Sequence, residues 1–443
     1  MQGISRDITA PPPTATVHTL GRESELRLEV SLRGTAYLSL KSGTAEVFGV
    51  EIAPERTILL SSSRKLAVFS WSGAEVFVWG DVATYVSSES QVPLYANLHQ
   101  QLEIRRDAAG RTGGNGPRIL IAGPTDSGKS SLCRVLLSYA CRVGRLPTFV
   151  DLDVGQGEVS IPGTVAATPL EKCCLSVEEG FSNTSPLAYF VGDVSPGVTP
   201  AVYRNSVERL ADLVNKRMGH PGEVGISART AGLVINTVGW VDSLGYDILL
   251  HSIKTLGADI VVVMGHDKTF AQLNEDLKNG AGTVGGEGIF PIQLIKLTRP
   301  GGAVERARDF RRDARSLRMK QYFYGPNPTA ALTPESITVS FDNIVVVKVG
   351  GPQSDSAMLP IGKASALDPL RVTVVPVSER LVNQILAVSF AATDKQVPHV
   401  NCAGFVHVKS VDLAAKKIVL LSPCAGTLPG KYLVLGGLSW VDT

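Results

Sequence analysis

The sequence predicts an α/β protein in three parts. A central P-loop parallel sheet has helices on both faces, an N-terminal β-sandwich precedes it, and a small, mainly β C-terminal domain follows it. Three observations predict this. Residues up to about 100 break into short alternating strands parted by turns. From Arg118, apolar strands alternate with helical stretches around Gly123–Ser130, a full match to G-x-x-x-x-G-K-[ST]. After Gly325-Pro326-Asn327-Pro328 the short strands return. The 443 residues exceed one compact core, and the boundaries fall at 1–105, 106–327 and 328–443.

In the first domain Ser24–Val30 alternates strictly, with Leu26, Leu28 and Val30 on one face and Glu25, Arg27 and Glu29 on the other. Thr35–Leu40, Ala45–Val50, Lys65–Trp71, Glu75–Trp79 and Val82–Val86 repeat the pattern. Tyr95–Arg106 reads as a helix, and the glycines of Asp107–Gly116 as a linker. In the second domain the strands are Ile119–Ala122, Thr148–Leu152, Ala188–Val191, Leu233–Asn236, Ile260–Val263 and Ile292–Leu297. Gly280–Gly288 reads as a surface loop and Val304–Tyr322 as an arginine-dense helix. In the third, strands are expected at Ile337–Phe341, Ile344–Val349, Leu370–Pro376, Ala403–Val408, Ile418–Ser422 and Tyr432–Leu435.

Composition narrows the function classes. With 43 basic and 41 acidic residues the net charge is +2, so any nucleic-acid site must be a local basic patch. No apolar run reaches the length of a membrane span, and Met1–Pro13 has no apolar signal core. Cys133, Cys141, Cys173, Cys174, Cys402 and Cys424 form no Cys-x-x-Cys pair and no zinc-type cluster, which points to reduced, mostly buried thiols in an intracellular protein.

The chemistry starts at Gly123-Pro124-Thr125-Asp126-Ser127-Gly128-Lys129-Ser130, followed by Ser131. A buried strand runs in, and the helix that runs out carries Leu132, Val135, Leu136, Ala140 and Val143 on one face, with Gly144 closing it. Glycines let backbone N–H groups turn toward phosphate oxygens, and the helix N-terminus adds its positive end. Lys129 reaches the β- and γ-phosphates of ATP, and the Ser130 hydroxyl ligates Mg2+.

A second strand ends in Asp151-Leu152-Asp153, which places two carboxylates at the sheet edge where α/β proteins bind ligands. Asp153, nearer the strand end, is the expected base and metal partner. Trp240 arrives at the same edge and is suited either to stacking on a nucleobase or to filling core. Arg308, Arg311, Arg312 and Arg315 recur at helical spacing after the hinge Gly301-Gly302, either as a lid over the triphosphate or as a solvated face paired with Glu305, Asp309 and Asp313.

Taken together, Gly123–Ser130, Asp151–Gly157 with Ile161-Pro162-Gly163-Thr164, Asn236–Val241, Gly301–Arg315 and Gln321-Tyr322-Phe323-Tyr324-Gly325 resemble the polyribonucleotide 5′-hydroxyl kinase family, which doubles as a subunit of the mRNA 3′-end cleavage factor. The resemblance spans almost the whole chain. It implies a kinase-type P-loop fold and transfer of the γ-phosphate of ATP to the 5′-hydroxyl of RNA, in tRNA splicing or mRNA 3′-end processing. It implies a nuclear location, a scaffold subunit of the cleavage factor as partner, and the tRNA splicing endonuclease as another. By motif position it implies a general-base role for Asp153, an RNA-end role for Gln156, and base stacking for Trp240. Arg306, Arg311 and Arg315 become lid arginines, and Glu25 and Lys65 adenine contacts in the sandwich. Two positions depart from the family pattern. Val194 replaces a hydroxyl residue of the RNA-clasping loop, with Ser195 beside it as a substitute, and Gly265 stands where active members carry aspartate.

Two rival readings stay open on sequence. One is an ATP-bound scaffold without catalysis, although members of that kind have a degraded P-loop or lid and both are intact here. The other is a hydrolytic P-loop switch, against which stands the lack of an Asn-Lys-x-Asp guanine reader.

Overall fold

A computed structural model describes residues 10–442 except 32–33, 62–63, 171–174, 179, 182–184, 279–291, 327–329 and 351–367. The stretch Gly280–Gly288, Cys173, Cys174 and most of the proline leader lie outside the described residues.

The N-terminal strands are β1 Thr16–Leu20, β2 Ser24–Val30, β3 Ala36–Gly43, β4 Glu46–Val47, β5 Val50–Glu51, β6 Thr57–Leu60, β7 Lys65–Ser70, β8 Ala74–Gly80 and β9 Val82–Ser87. They pair as two sheets, β1-β8-β3-β6 and β5-β4-β7-β2-β9. The alternation in β2 does what it predicts: Leu26, Leu28 and Val30 are buried in the core between the sheets.

Helix α1, Val92–Thr112, leads out of the sandwich. It runs beyond the expected end at Arg106, so Asp107–Thr112 is helix and not linker. Ala109 is buried, Arg145 holds Glu103 and Asp107, and the left-handed Gly113 (φ 69°) stops the helix. Gly110 is tolerated because a side chain there would meet open space.

The central strands are β10 Arg118–Ala122, β11 Thr148–Asp151, β12 Thr164–Pro169, β13 Leu187–Phe190, β14 Leu233–Asn236, β15 Ile260–Met264 and β16 Gln293–Leu297. Their order is β16-β15-β10-β14-β11-β12-β13, and the first five run parallel. Strands β12 and β13 run antiparallel to their neighbours in this mostly parallel sheet, and β12 went unread. The helices between them are α2 Lys129–Arg142, α3 Pro200–Met218, α4 Glu223–Ala231, α5 Leu244–Leu256 and α6 Asp267–Lys278. Two apolar clusters, one on each sheet face, cover the strands. In α2 the expected apolar face holds except at Val143, which follows the helix and is 57% exposed. Cys133 and Cys141 are buried, whereas Cys424 is exposed.

Helix α7 spans Arg308–Tyr324, four residues shorter at its start than expected, because Val304–Ala307 is irregular and Ala307 is extended (φ −61°, ψ 156°). The C-terminal strands are β17 Glu335–Ser340, β18 Val345–Val349, β19 Val372–Val374, β20 Gln384–Ser389, β21 Cys402–Asp412, β22 Lys417–Ser422 and β23 Tyr432–Ser439. Strand β20 went unread. Its fully buried Ile385, Leu386 and Ala387 make a short apolar run with no alternation to betray it. This domain continues the central sheet: Ala188 of β13 pairs with Cys402 of β21, so fourteen strands form one sheet. The Gln321–Gly325 motif anchors α7 there. Phe323 stacks on Trp440 (5.5 Å), the Tyr322 hydroxyl accepts from Phe405 N (2.9 Å), and the Tyr324 hydroxyl donates to Asp442 (2.7 Å).

Candidate active site

The P-loop joins β10 to α2 at the carboxyl edge of the parallel strands. Its turn needs glycine at two places. Gly123 has φ 148°, and a side chain there would meet the Met264 carbonyl at 2.5 Å; Gly128 has φ 94° and faces Pro300. Lys129 is buried and donates to the carbonyls of Gly123 (2.9 Å) and Pro124 (2.8 Å). Burial lowers its pKa, and the charge of Asp153 works against that. The Ser127 hydroxyl is buried with no partner among the described residues, an orphan donor inside a loop built from donors. A cavity lined by Thr125–Ser131, Asp153, Gln156 and Arg306 opens in front of the loop.

Thr125 is committed elsewhere. Its N–H (3.1 Å) and hydroxyl (3.3 Å) both donate to the Gly239 carbonyl, tying the P-loop to the Trp240 loop. Asp126, expected at the nucleotide, lines both this cavity and the one between sandwich and lid, and also bonds to the lid. Its Oδ2 accepts from the Arg306 N–H (2.9 Å) and from the Arg311 guanidinium (2.9 Å), so it joins the P-loop to the lid.

The two strand-end aspartates part company. Asp151 is buried and fully used. Oδ1 accepts from Asn236 (3.0 Å) and from Asp153 N (3.2 Å), and Oδ2 from Glu158 N (2.6 Å). Burial, then the neighbouring Asp153 charge, push its carboxyl up to about 7. Asp153 accepts from Gly155 N (2.9 Å) and Gln156 N (3.1 Å), both at Oδ1, which leaves Oδ2 without a hydrogen bond among the described residues, and the residue lines the phosphate cavity. Burial raises its pKa and Lys129 opposes the rise. A carboxylate with one oxygen fixed and one open suits a base or metal partner.

Around Asp153 lie the acceptor elements. Gln156 lines the same cavity, its side chain donating to the Gly155 carbonyl (2.8 Å). The loop carrying Val194 and Ser195 abuts it: a side chain on Gly155 would sit 3.1 Å from the Val194 carbonyl. Ser195 accepts from Gly197 N (3.3 Å), and its own N–H donates to Asp193 (2.9 Å). Val194 packs toward the C-terminal core. Trp240 is 37% exposed beside Gly197 and Gly245, a surface ring and not core filler. Gly265 has φ 61°, and a side chain there would meet Arg299 Cβ at 2.9 Å, so glycine suits the turn.

A second cavity lies between sandwich and lid, lined by Glu25, Lys65, Tyr85, Tyr95, Pro300 and Arg306 among others. Glu25 is held by Arg27 (2.6 Å) and Ser90 (2.8 Å), and Lys65 by Glu29 (2.8 Å). The expected arginine stripe splits. Arg311 reaches Asp126 and Arg315 is half-buried. Arg308 is exposed, and Arg312, 67% exposed, pairs with Asp309 and Asp313. Arg306 precedes the helix and lies over Phe310. Sequence reasoning missed Arg318, which continues the Arg311–Arg315 spacing. It also missed Arg134 and Glu158, which pair at 2.7 Å, and Arg64, which carried no motif.

For Mg2+ the residues fit. Ser130 at the helix start and the open oxygen of Asp153 supply one hydroxyl and one carboxylate. That is the sparse set of a magnesium ion that keeps water and takes phosphate oxygens. Among the described residues no three His, Cys, Asp or Glu gather to cage a metal.

A P-loop phosphotransferase with a sandwich over one side of its nucleotide cleft is the class this fold and site define. Family models agree along the chain: the N-terminal β-sandwich domain of polyadenylation factor at 19–109, the P-loop of mRNA cleavage and polyadenylation factor CLP1 at 123–325, and pre-mRNA cleavage complex II protein Clp1 at 332–442. The chain belongs to the Clp1 family. It is 40% identical over 434 residues to an Arabidopsis thaliana protein called Protein CLP1 homolog, covering 96% of this chain and 94% of that one. It is 38% identical over 429 residues to the Homo sapiens polyribonucleotide 5′-hydroxyl-kinase Clp1, covering 96% and 97%. A solved Clp1p–Pcf11p complex shares the fold at TM-score 0.81 with 20% identity, covering 98% of this chain and 100% of that one.

Proposed function

We propose that this chain is an ATP-dependent polyribonucleotide kinase that transfers the γ-phosphate of ATP to the 5′-hydroxyl end of RNA. The observation that carries the reading is Asp153, whose open oxygen shares one cavity with Lys129, Ser130 and Gln156. The curated relatives of that name support it at 38–39% identity over nearly the full chain.

The chemistry divides among the residues. P-loop amides and the Lys129 ammonium hold phosphate oxygens, the lysine moving from the Gly123 and Pro124 carbonyls to the ligand. Ser130 would hold Mg2+, with Asp153 reaching it through an ion-bound water, and the ion would supply neutralisation of charge on the transferred group. Asp153 orients the acceptor hydroxyl and takes its proton. Arg306, Arg311 and Arg315 close from the lid and stabilise the charge that develops. Glu25 and Lys65 border the base cavity, Gln156 and Ser195 flank the RNA end, and Trp240 stacks on a base.

Membership of the Clp1 family supports a place in mRNA 3′-end processing beside a scaffold subunit of the cleavage factor, and hence a nuclear site of action. Work on tRNA exons with the splicing endonuclease is the other setting in the proposal. A second reading, an ATP-bound scaffold without catalysis, is favoured by Val194 and Gly265. Phosphate transfer from γ-labelled ATP to a 5′-hydroxyl RNA oligonucleotide separates the two. The kinase reading expects transfer that Lys129→Ala and Asp153→Ala both abolish. Tight ATP binding with no transfer by the wild type would leave the scaffold.

A further inference from the structure

Beside the phosphate cavity lies another, whose Arg64, Arg134 and Arg318 the proposed reaction does not use. Its walls come from the sandwich (Arg64), helix α2 (Arg134), the strand-end loop (Gln156, Glu158) and the lid (Arg315, Arg318). It shares Arg64, Arg134, Gln156 and Glu158 with the phosphate cavity, so the two adjoin.

Its charge is unbalanced. Four guanidiniums line it with a single carboxylate, Glu158, already engaged by Arg134 Nε at 2.7 Å. Arg318 spends itself on main-chain carbonyls of Glu158 and Ser160, and Arg64 on those of Val177 and Glu178. Neutral carbonyls orient these groups without cancelling their charge. The Glu178 carboxylate, which acts on Arg64, is taken by Arg56 and Leu59 N, and the Asp151 carboxylate, which acts on Arg318, by three N–H donors. Burial first, then the neighbouring arginines, pull Arg64 down to about 10, and Arg318 also shifts down. Cations gathered from three separate elements at such cost favour an anion among them. Guanidiniums match phosphate oxygens in shape as well as charge.

We propose that this cavity is a second phosphate subsite. Two sources share that chemistry: an internal phosphodiester of the acceptor RNA, or free inorganic phosphate. The first rests on the kinase reading above; the second does not.

The test starts with phosphate binding by calorimetry in a Lys129→Ala background, which weakens the P-loop as a competitor. Glu158→Gln removes the one carboxylate and is expected to tighten phosphate about tenfold, a gain that misfolding does not produce. Arg134→Gln should weaken it about tenfold, with Arg134→Lys restoring much of the loss. Unchanged phosphate affinity in both Glu158→Gln and Arg134→Gln would overturn the subsite, whatever the kinase assay gives. With Lys129 intact, KM is then compared for a nucleoside and for a 5′-hydroxyl oligonucleotide. A fall with Glu158→Gln for the oligonucleotide alone identifies the phosphodiester. Equal KM effects with competition by added phosphate identify the free anion. Wild type that transfers to neither acceptor would sink the kinase reading and leave the calorimetric result standing.

Discussion

Asp151 and Asp153 sit two residues apart and answer to different physics. Asp151, inside the protein, keeps its proton up to about 7, whereas the unfolded chain releases it near 3.8. Between those values the folded state binds more protons, so stability falls as pH rises through that window. Urea midpoints should therefore drop from pH 5 to pH 7, and Asp151→Asn should flatten that slope; an unchanged slope would remove Asp151 as its source. Asp153 must be ionised to act as base, and burial raises its pKa. The acid limb of kcat should thus lie above the ordinary aspartate range in a pH–rate profile. Lys129→Ala should cost roughly three or more orders of magnitude in rate with thermal stability little changed, since positioning and electrostatics carry phosphoryl transfer. At this scale the motif residues were legible because phosphate chemistry dictates both their type and their spacing. The roles of Thr125 and Asp126 were not, because partners more than a hundred positions away decide them.

Helix α7 shows what periodicity reveals and what it hides. Spacing announced an arginine face, but three- and four-residue steps from Arg308 lead equally well to Arg311, Arg312 and Arg315. Only packing chooses among them, and it chooses Arg311, Arg315 and Arg318. Arg311→Ala should lower kcat at least tenfold, while Arg312→Ala leaves it within about twofold, since exposed pairs contribute little; similar losses in both would mean a generic basic face. On the acceptor side, Trp240→Ala should raise KM for RNA roughly 5- to 100-fold with KM for ATP nearly unchanged, the worth of one stacked base. The antiparallel turn of β12 and β13 escaped the sequence for a related reason. Buried strands of either direction read as the same apolar run.

Across the whole molecule the sandwich is bolted to the P-loop domain through Glu46. This buried carboxylate accepts from the Tyr139 hydroxyl and from Arg142 (2.9 Å). Both partners lie on α2, the helix that begins at Lys129. Glu46→Ala should cost about 1–3 kcal/mol in denaturant unfolding, leaving the buried Tyr139 hydroxyl unmatched while Arg142 keeps Glu51, and should weaken ATP binding; a neutral result on both counts would make the sandwich an independent lobe. At the other end, the shared sheet through β13 and β21 gives α7 a fixed foot in the C-terminal domain. The lid is therefore held at both ends, by Phe323 and its neighbours at one and by Asp126 at the other. A door latched in the resting state turns ligand entry into a gated event. In a stopped-flow experiment the observed rate of nucleotide association should rise with concentration and then level off at the frequency with which Asp126 lets go of Arg311. Weakening that clasp alone should lift the plateau.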